Sequence, residues 1–364
     1  MGDNNPQAPN VTASEVRDIS SYLLASKYGA TAFVGFAPEN PSTRLKNARG
    51  FVLQEQILDG GTLKYFSKNK IYRKTRDSEG KKLYRDVTGT FLFSKLVTPK
   101  AYLFLTKDPG EFVNDGLQRL LYRSRTIVTR LHLTSGEMRD IVSDLLVETS
   151  GRVVVRRSIV RNKRQETTVS YETESLDELY SKAASDNAHV HSFAFRLYER
   201  KAGNLILNAG LNREGRFTFY AGNLKTFFTE LIEHACQLFK KKDQLVQDRV
   251  HTQGSNKISP IRIIFDEFVF EAKDGIRAFL RTLGNIPHGE FTIFHRNPYL
   301  HVTFFDFFDG SEFDLFIESP AVVVVVPQSH ASPPSLLRLC QKICENFQEG
   351  VIVEDDSSIG ASDK

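Results

Sequence analysis

"NLILNAGLNREGRFTFYAGNLKTFFTELIEHACQLF", residues 204–239, contains a strand, a turn, a second strand and a helix in one continuous run. "NLILNAGL" and "GRFTFYAG" are typical of short strands, and the turn signal Asn212–Gly215 between them favours antiparallel pairing. After Asn223 the apolar period lengthens to that of a helix. The residues on this helical face are Leu224, Phe227, Phe228, Leu231, Ile232, Ala235 and Phe239. Antiparallel strands followed by a covering helix predict an α+β fold.

The same alternation of strands and helices extends over the rest of the chain. Further strands are predicted at "TGTFLFSK", "KAYLFLT", "FAFRLYER" and "GEFTIFHR". Helices are predicted where a hydroxyl or carboxylate residue precedes an apolar run, often with an acidic residue three positions later. These starts are Thr12, Asp108, Thr134, Ser175 and Ser332. We therefore expect antiparallel β-meanders packed with helices, in two domains.

Polar stretches suggest where the domains end. We predict a disordered tail over 1–11, a basic α+β domain over 12–165, a linker over 166–175, an α+β domain over 176–350, and a disordered acidic tail over 351–364. The second α+β domain is expected to consist of two meander-plus-helix units, 192–242 and 291–348.

Cysteine usage and hydropathy indicate a reducing compartment and no membrane. Cys236, Cys340 and Cys344 fall on apolar helical stripes, which is typical of reduced core thiols. The longest apolar run, Ala321–Val326, is far shorter than the ~18 residues of a membrane span. The first ten residues lack the pattern of a secretory signal. We expect a cytoplasmic protein.

The two halves of the chain differ in charge. Residues 1–164 contain 28 Lys and Arg against 16 Asp and Glu, whereas the whole chain has a net charge of +4. Such a split indicates a partner surface on the basic half, or attraction between the halves.

Two segments concentrate the positive charge. "KYFSKNKIYRKTRDSEGKKLYR", residues 64–85, holds nine Lys and Arg with four interleaved aromatic residues, and predicts a twisted hairpin turning near 77–80. "RVVVRRSIVRNKR", residues 152–164, adds six Lys and Arg, with Arg152, Val154 and Arg156 on one face of a strand. Phosphate-contacting candidates are Lys68, Lys70, Arg73, Lys74, Lys81, Lys82, Arg85, Arg156, Arg157, Arg161, Lys163 and Arg164. A solvated hairpin and a protein-docking face are the alternatives.

The stretch "NPYLHVTFFDFFDGSEFDLF", residues 297–316, is the main candidate for a reactive site. Asp309-Gly310 predicts a two-residue turn, which pairs 304 with 315 and sets His301 opposite Glu318. Asp306 then lies on an apolar face, where it needs a partner or must take up a proton. His301, Thr303 and Asp306 are thus candidate catalytic residues, although we favour an edge hairpin with a charged face.

The motif His301-Val302-Thr303 has a counterpart in His132-Leu133-Thr134. As a pair they resemble the two-histidine phosphoesterases, in which two such strands face each other across a phosphodiester. The competing interpretation, which we favour, makes Thr134 the N-cap of a helix, with Glu137 completing a capping box.

A second enzymatic hypothesis uses the acid-x-Lys triplet Glu199-Arg200-Lys201 together with Asp186. Two carboxylates could hold Mg²⁺ or Mn²⁺ while Lys201 positions the nucleophile, as in a metal-dependent nuclease or phosphodiesterase. The triplet recurs at Glu271-Ala272-Lys273, as chance would allow in a chain with 25% charged residues.

The expected function is binding of DNA or RNA through the basic hairpin, without catalysis and without a cofactor. The alternatives are the nuclease or phosphodiesterase and a structural subunit that contacts a protein partner.

Overall fold

The computed structural model describes residues 29–37, 39–48, 51–57, 63–76, 82–108, 110–124, 127–162, 168–173, 175–247, 260–272, 274–295, 300–328 and 330–354. The predicted tail over 1–11 and the predicted helix at Thr12 lie outside these ranges.

More of the described residues lie in strands than in helices. They are β1 (Ala30–Phe36), β2 (Phe51–Ile57), β3 (Leu63–Arg76), β4 (Lys82–Lys95), β5 (Ala101–Thr106), β6 (Thr129–Arg130), β7 (Gly151–Asn162), β8 (Thr168–Thr173), β9 (Ala188–Glu199), β10 (Leu205–Asn212), β11 (Arg216–Gly222), β12 (Ile261–Phe265), β13 (Gly289–His295), β14 (His301–Asp306), β15 (Ser311–Ser319), β16 (Val322–Pro327) and β17 (Gly350–Glu354).

The helices are α1 (Ser42–Lys46), α2 (Gln118–Arg123), α3 (Ser135–Thr149), α4 (Leu176–Ser185), α5 (Glu233–Gln247), α6 (Gly275–Gly284) and α7 (Pro333–Asn346). A π-helical turn, Phe112–Leu117, leads into α2, and another, Thr226–Ile232, leads into α5. The predicted caps are confirmed at Ser175 and Ser332, whose hydroxyls accept from the amides of Glu178 and Ser335.

The strands form two sheets, and their pairings are antiparallel. The larger sheet has the order β2-β3-β4-β5-β1-β11-β10-β9-β7-β8, with β6 beside β1. The smaller sheet has the order β13-β14-β15-β16-β12-β17. The predicted α+β class, with antiparallel meanders and covering helices, is confirmed.

The described chain divides into two compact units. The first comprises the described residues within 1–133, 140–156 and 192–237, and the second those within 134–139, 157–191 and 238–364. The domain bounds given above stay a prediction, but residues 168–173 of the expected linker form β8. Residues 351–354 of the expected acidic tail form part of β17, since Gly350–Glu354 pairs with β12. The β-branched run Val351-Ile352-Val353 favours that strand.

The core of the first unit is aromatic and lies between the sheet and the helical segment 112–123. Phe33, Phe91, Phe93 and Phe104 project from neighbouring strands towards Leu117 and other buried residues of this segment. Gly89 on β4 lets the ring of Phe112 approach closely, since an added Cβ would lie 2.4 Å from that ring. The helical segment is thus seated directly on β4.

The second unit has two layers. The buried face of the smaller sheet carries Val302, Phe304, Phe313 and Leu315, each at most 1% exposed. Helices α6 and α7 cover this face, and an aromatic cluster joins them, formed by Phe265, Phe270, Phe279 and Phe347.

The hairpin at 301–319 departs from its predicted register by two residues. Phe304 pairs with Phe313 and His301 with Phe316, so Glu318 does not face His301. The loop holds four residues because Asp306 accepts from the amide of Phe308 (3.0 Å), Asp309 accepts from that of Ser311 (3.1 Å), and Gly310 takes a φ of +74°. A shift of two preserves both faces. The hairpin is also internal, between β13 and β16, and not at an edge as predicted.

Replacing Gly89 by alanine should destabilise the first unit. The methyl group would meet Phe112 at 2.4 Å and Asp108 Oδ2 at 2.6 Å, and such overpacking costs about 1–3 kcal/mol. Thermal unfolding should show a lower midpoint for Gly89→Ala. Gly110→Ala is the matched control, because its methyl group would have nothing within 4 Å. Equal midpoints for the two variants would contradict the close packing of Phe112.

Candidate nucleic-acid interface

The predicted basic hairpin corresponds to β3 and β4, which pair antiparallel along their lengths. β2 accompanies β3 from Leu63 to Asn69, and β5 accompanies β4 from Leu92 to Lys95. Beyond these pairings, Lys70–Arg76 and Lys82–Asp86 have only each other as strand neighbours within the described residues. We call these two segments the basic ribbon. On β3 the basic ribbon extends roughly 23 Å past the last residue that pairs with β2, at the usual rise per residue.

The register of the basic ribbon sets one pair of basic positions, Arg76 and Lys82, directly opposite each other. Lys70 is opposite Asp86, Ile71 opposite Arg85, and Arg76 opposite Lys82. Tyr72 is directly opposite Tyr84, with a shift in register beyond that pair. Of the predicted contacts, Lys70, Arg73, Lys74, Lys82 and Arg85 belong to the ribbon, Lys68 lies just before it opposite Thr88, and Lys81 lies outside the described residues.

Close to the basic ribbon, β4 is fixed at Thr90 by two side chains at the end of β5, Thr106 and Asp108. The carboxylate of Asp108 accepts from the amide of Thr90, and the hydroxyl of Thr106 donates to the carbonyl of Thr90 at 2.7 Å. The amide of Asp108 in turn donates to the hydroxyl of Thr106 at 3.1 Å. These bonds satisfy the amide and carbonyl of Thr90 on the side of β4 where the pairing with β5 has not yet begun. β4 is therefore held there although β5 stops short.

The second predicted basic segment is β7. Arg152 and Arg156 are exposed while Val153 and Val155 are buried, which confirms the predicted alternation. Arg157 is also exposed, and from there the alternation changes phase. Arg161 is half-buried, and Lys163 and Arg164 lie outside the described residues.

The two basic segments do not form one surface patch. Seven inter-strand steps separate β3 from β7 in the sheet. At the usual strand spacing of about 4.8 Å this is roughly 34 Å along the sheet. The structure thus divides the predicted contact residues, and the ribbon must be tested separately from Arg152 and Arg156.

The nuclease candidates occupy different elements. Asp186 is the C-cap of α4, two residues before β9, and its carboxylate accepts from the hydroxyl of Tyr171. Glu199 is the last residue of β9, and Lys201 follows in an exposed turn. Extended backbone thus separates the two carboxylates along the chain. Across the described ranges, no group of three or more His, Cys, Asp and Glu side chains is placed to hold a metal ion.

His301 and Thr303 lie on the outer face of the smaller sheet beside Asp314, which sequence reasoning missed. Thr303 is 4% exposed and donates its hydroxyl proton to Asp314, which also accepts from Gln328 Nε2 at 2.8 Å. His301 Nε2 is 3.4 Å from Asp314 Oδ1, an electrostatic contact beyond good hydrogen-bond geometry. Its ring stacks between Phe294 and Phe316. A nucleophile needs its base within hydrogen-bond reach, and Thr303 is bonded to the carboxylate and not to the imidazole.

Asp306 has the partner that its buried position requires. Its side chain is 7% exposed. Asp306 Oδ2 accepts a hydrogen bond from Nε of Arg338 at 3.1 Å and a second from Nη2 of the same guanidinium. The guanidinium of Arg338 also lies over the ring of Phe308, 5.4 Å from the ring centroid. The pair joins β14 to α7, which is a structural use of the carboxylate. Register alone could not identify Arg338, because it is 32 residues away.

Asp309 strengthens the same junction. Burial alone would raise the pKa of Asp309, but hydrogen bonds from Ser311, Ser332 and Ser335 outweigh burial and hold the pKa below its ordinary value. Ser332 is the N-cap of α7, so the carboxylate also lies at the positive end of that helix. The loop carrying Asp306 and Asp309 is therefore tied to α7 at two points.

The second histidine motif has a different explanation. The amide of Thr134 donates to Glu137 Oε2 at 2.8 Å, and the amide of Glu137 donates to Thr134 Oγ1 at 3.1 Å. This is the predicted capping box at the start of α3. The hydroxyl of Thr134 is therefore used in capping the helix.

A group of four titratable side chains on α3, on α5 and on the π-helical turn before α5 was not predicted. His234 Nε2 lies 3.0 Å from Asp144 Oδ2. A hydrogen bond with Glu230 raises the pKa of Glu148, and burial and repulsion from Glu230 and Asp144 raise it further. The signal in the sequence was acid-x-x-x-acid at 144–148 and acid-x-x-x-His at 230–234, one turn apart on each helix.

No protein-family model matches this chain, and the search of curated proteins finds no match either. In the described helices, none combines the length and the apolarity that crossing a membrane requires.

Removing the charge of Arg338 should destabilise the second unit strongly. In Arg338→Met the buried carboxylate of Asp306 loses its counter-charge, which costs about 3–5 kcal/mol. Adding Asp306→Asn should recover much of the loss, because the amide oxygen can still accept from Phe308. Chemical denaturation of the single and double variants measures both effects. A loss below about 1 kcal/mol, as for a surface ion pair, would contradict the buried pairing.

Stability should depend on the protonation of Glu148. Because its pKa is raised in the folded state, ionising Glu148 opposes folding, so its favourable contribution is lost as pH rises through the folded pKa. Glu148→Gln should therefore raise the thermal midpoint at pH 7. The difference should shrink as pH falls towards ~4, where the unfolded carboxyl is protonated as well. Glu271→Gln, at an exposed position outside the group, serves as the control and should show no such trend.

Proposed function

We propose that the protein binds nucleic acid through the basic ribbon, by contacts with backbone phosphates and with little readout of base sequence. The observation that carries the proposal is that the ribbon continues past the neighbouring strands β2 and β5. Both sides of a two-stranded ribbon are then free of strand neighbours within the described residues.

The dimensions of the basic ribbon suit this partner. A two-stranded ribbon fits the major groove of B-DNA, which is about 12 Å wide. Lysine and arginine on such a ribbon neutralise phosphates and release counterions. The facing positions of Tyr72 and Tyr84 support stacking on unpaired bases as well. DNA and RNA are both compatible with this chemistry.

The compartment is a separate part of the proposal. We place the protein in a reducing, cytoplasmic compartment, supported by three free cysteines that are all buried, Cys236, Cys340 and Cys344. Burial raises the pKa of the Cys340 thiol, which keeps it in the unreactive form.

Membership of a larger protein complex is the second candidate function. It is supported by apolar side chains exposed on the outer face and edges of the smaller sheet. These are Ile264, Phe294, Phe305 and Val351, with exposed fractions between 37% and 64%. Such residues on adjacent strands are characteristic of protein contact surfaces.

Changing the ribbon should weaken binding in a salt-dependent way. The test variant carries Lys70, Arg73, Lys74 and Lys82→Gln, and the matched control carries Arg152, Arg156, Arg157 and Arg161→Gln. Fluorescence anisotropy with labelled single- and double-stranded DNA and RNA gives the affinity across a salt series. The slope of log K against log salt should become shallower by about 3 in the ribbon variant, at 0.7–0.9 per lost phosphate contact. The control should retain the wild-type slope.

Two results would overturn the proposal. Absence of binding to every nucleic acid at low salt would leave the ribbon as a solvated or protein-docking element. Equal weakening in the two variants would show that binding depends on total charge and not on the ribbon.

A further inference from the structure

We propose that β13 is a dimerisation edge, at which a second copy of this chain adds its own β13 in antiparallel orientation. The two smaller sheets then become one continuous sheet with a two-fold axis at the junction. This inference is independent of nucleic-acid binding.

β13 is an edge strand with few protective features. It ends the smaller sheet and pairs with β14 alone in the part of the chain that the structure describes. Natural edges are blunted by lysine, proline or bulges, because an unpaired edge is a template for another strand. "GEFTIFH" contains neither lysine nor proline, and its bulge falls late, between Ile293 and His295. The five residues from Gly289 to Ile293 thus form a regular edge.

The hydrogen-bonding pattern shows which groups of β13 point outward. The amide of Phe307 donates to the carbonyl of His288 at 2.9 Å, which makes 288 and 307 a hydrogen-bonded pair. Since such pairs alternate in an antiparallel ladder, Glu290 and Thr292 also bond to β14. The backbone groups of Gly289, Phe291 and Ile293 therefore point away from the sheet. The amide of Gly289 is occupied by the carbonyl of Ile286 at 3.1 Å.

The outward groups and the bulge select one register. With the two-fold axis at Phe291, each Phe291 exchanges two hydrogen bonds with its counterpart. Each Ile293 amide then donates to the carbonyl of Gly289 in the other copy, which gives four bonds in all. A register centred on Thr292 would instead place the bulge inside the junction.

Side chains are compatible with this register. Phe291 meets Phe291, Glu290 meets Thr292, and Gly289 meets Ile293, so no like charges lie directly opposite each other. Aromatic and β-branched pairs across strands add roughly 0.2–1 kcal/mol each. Gly284 of α6 lies beside Phe291, since its added Cβ would be 3.4 Å from that ring, and the neighbouring helix would extend the contact.

Symmetry favours β13 as its own partner. The opposite edge of the sheet is β17, and a β13–β17 contact would leave free edges at both ends. Such a head-to-tail contact continues into an open filament, whereas β13 on β13 closes after two copies. A junction of five residues is small by the standard of stable interfaces, so we expect a weak dimer.

Analytical ultracentrifugation of the full chain, from about 1 to 300 µM, tests the proposal without nucleic acid. The wild type should shift from monomer to dimer over this range. Ile293→Pro removes an outward amide while leaving the bonds to β14, and edge strands accept proline at such positions. This variant should remain monomeric, whereas the matched control Ile293→Val should dimerise like the wild type. Circular dichroism confirms that each variant is folded.

Residue-resolved amide hydrogen exchange of the wild type provides a second readout that needs no variant. Protection of the Phe291 and Ile293 amides should rise with protein concentration, while Glu290 and Thr292 stay protected throughout. Three results would each overturn the proposal. The wild type could stay monomeric, the dimer could persist in Ile293→Pro, or exchange at Phe291 and Ile293 could be the same at every protein concentration.

Discussion

The antiparallel backbone hydrogen-bond ladder is the constraint on which this structure depends. A strand in the middle of a sheet satisfies its amides and carbonyls on both sides, as β1 does between β5 and the pair β11 and β6. Among the described residues, the ladder is left half-filled at the sheet edges, β13 among them, and along the basic ribbon. Where the ladder is unfilled, the backbone amides and carbonyls must form hydrogen bonds with water, with side chains or with another chain. Both proposals made here concern such places, the basic ribbon and β13.

The two half-filled ladders differ in side-chain chemistry, and that difference indicates different partners. The basic ribbon has six Lys and Arg in its two segments, which oppose pairing with another strand and favour an anionic partner. β13 has one carboxylate, Glu290, among apolar and small residues within its regular part. The charges of the basic ribbon therefore oppose the addition of another strand. β13 has few charges, and an added strand is compatible with it.

Much of the fold could be predicted from sequence because its signals are local. Turn residues, capping boxes and alternating apolar residues act over four or five positions, so the α+β class and the caps at Thr134, Ser175 and Ser332 were correct. The hairpin register failed because it depends on partners distant in sequence. Arg338 and the serines of α7 hold Asp306 and Asp309, and these bonds replace the expected two-residue turn with a four-residue loop.

The candidate site shows the same division between local and distant information. Composition singled out the two basic segments, and alternation placed Arg152 and Arg156 on one face of β7. Strand order could not be derived, since nothing in either basic segment records the strands that lie between β3 and β7. These strands decide which of the charges can lie on one surface. Arg152 and Arg156 alternate with buried valines on a strand that has neighbours on both sides, where arginines can serve solubility alone. In the basic ribbon the same kind of charge lies on a segment that has no third strand beside it within the described residues.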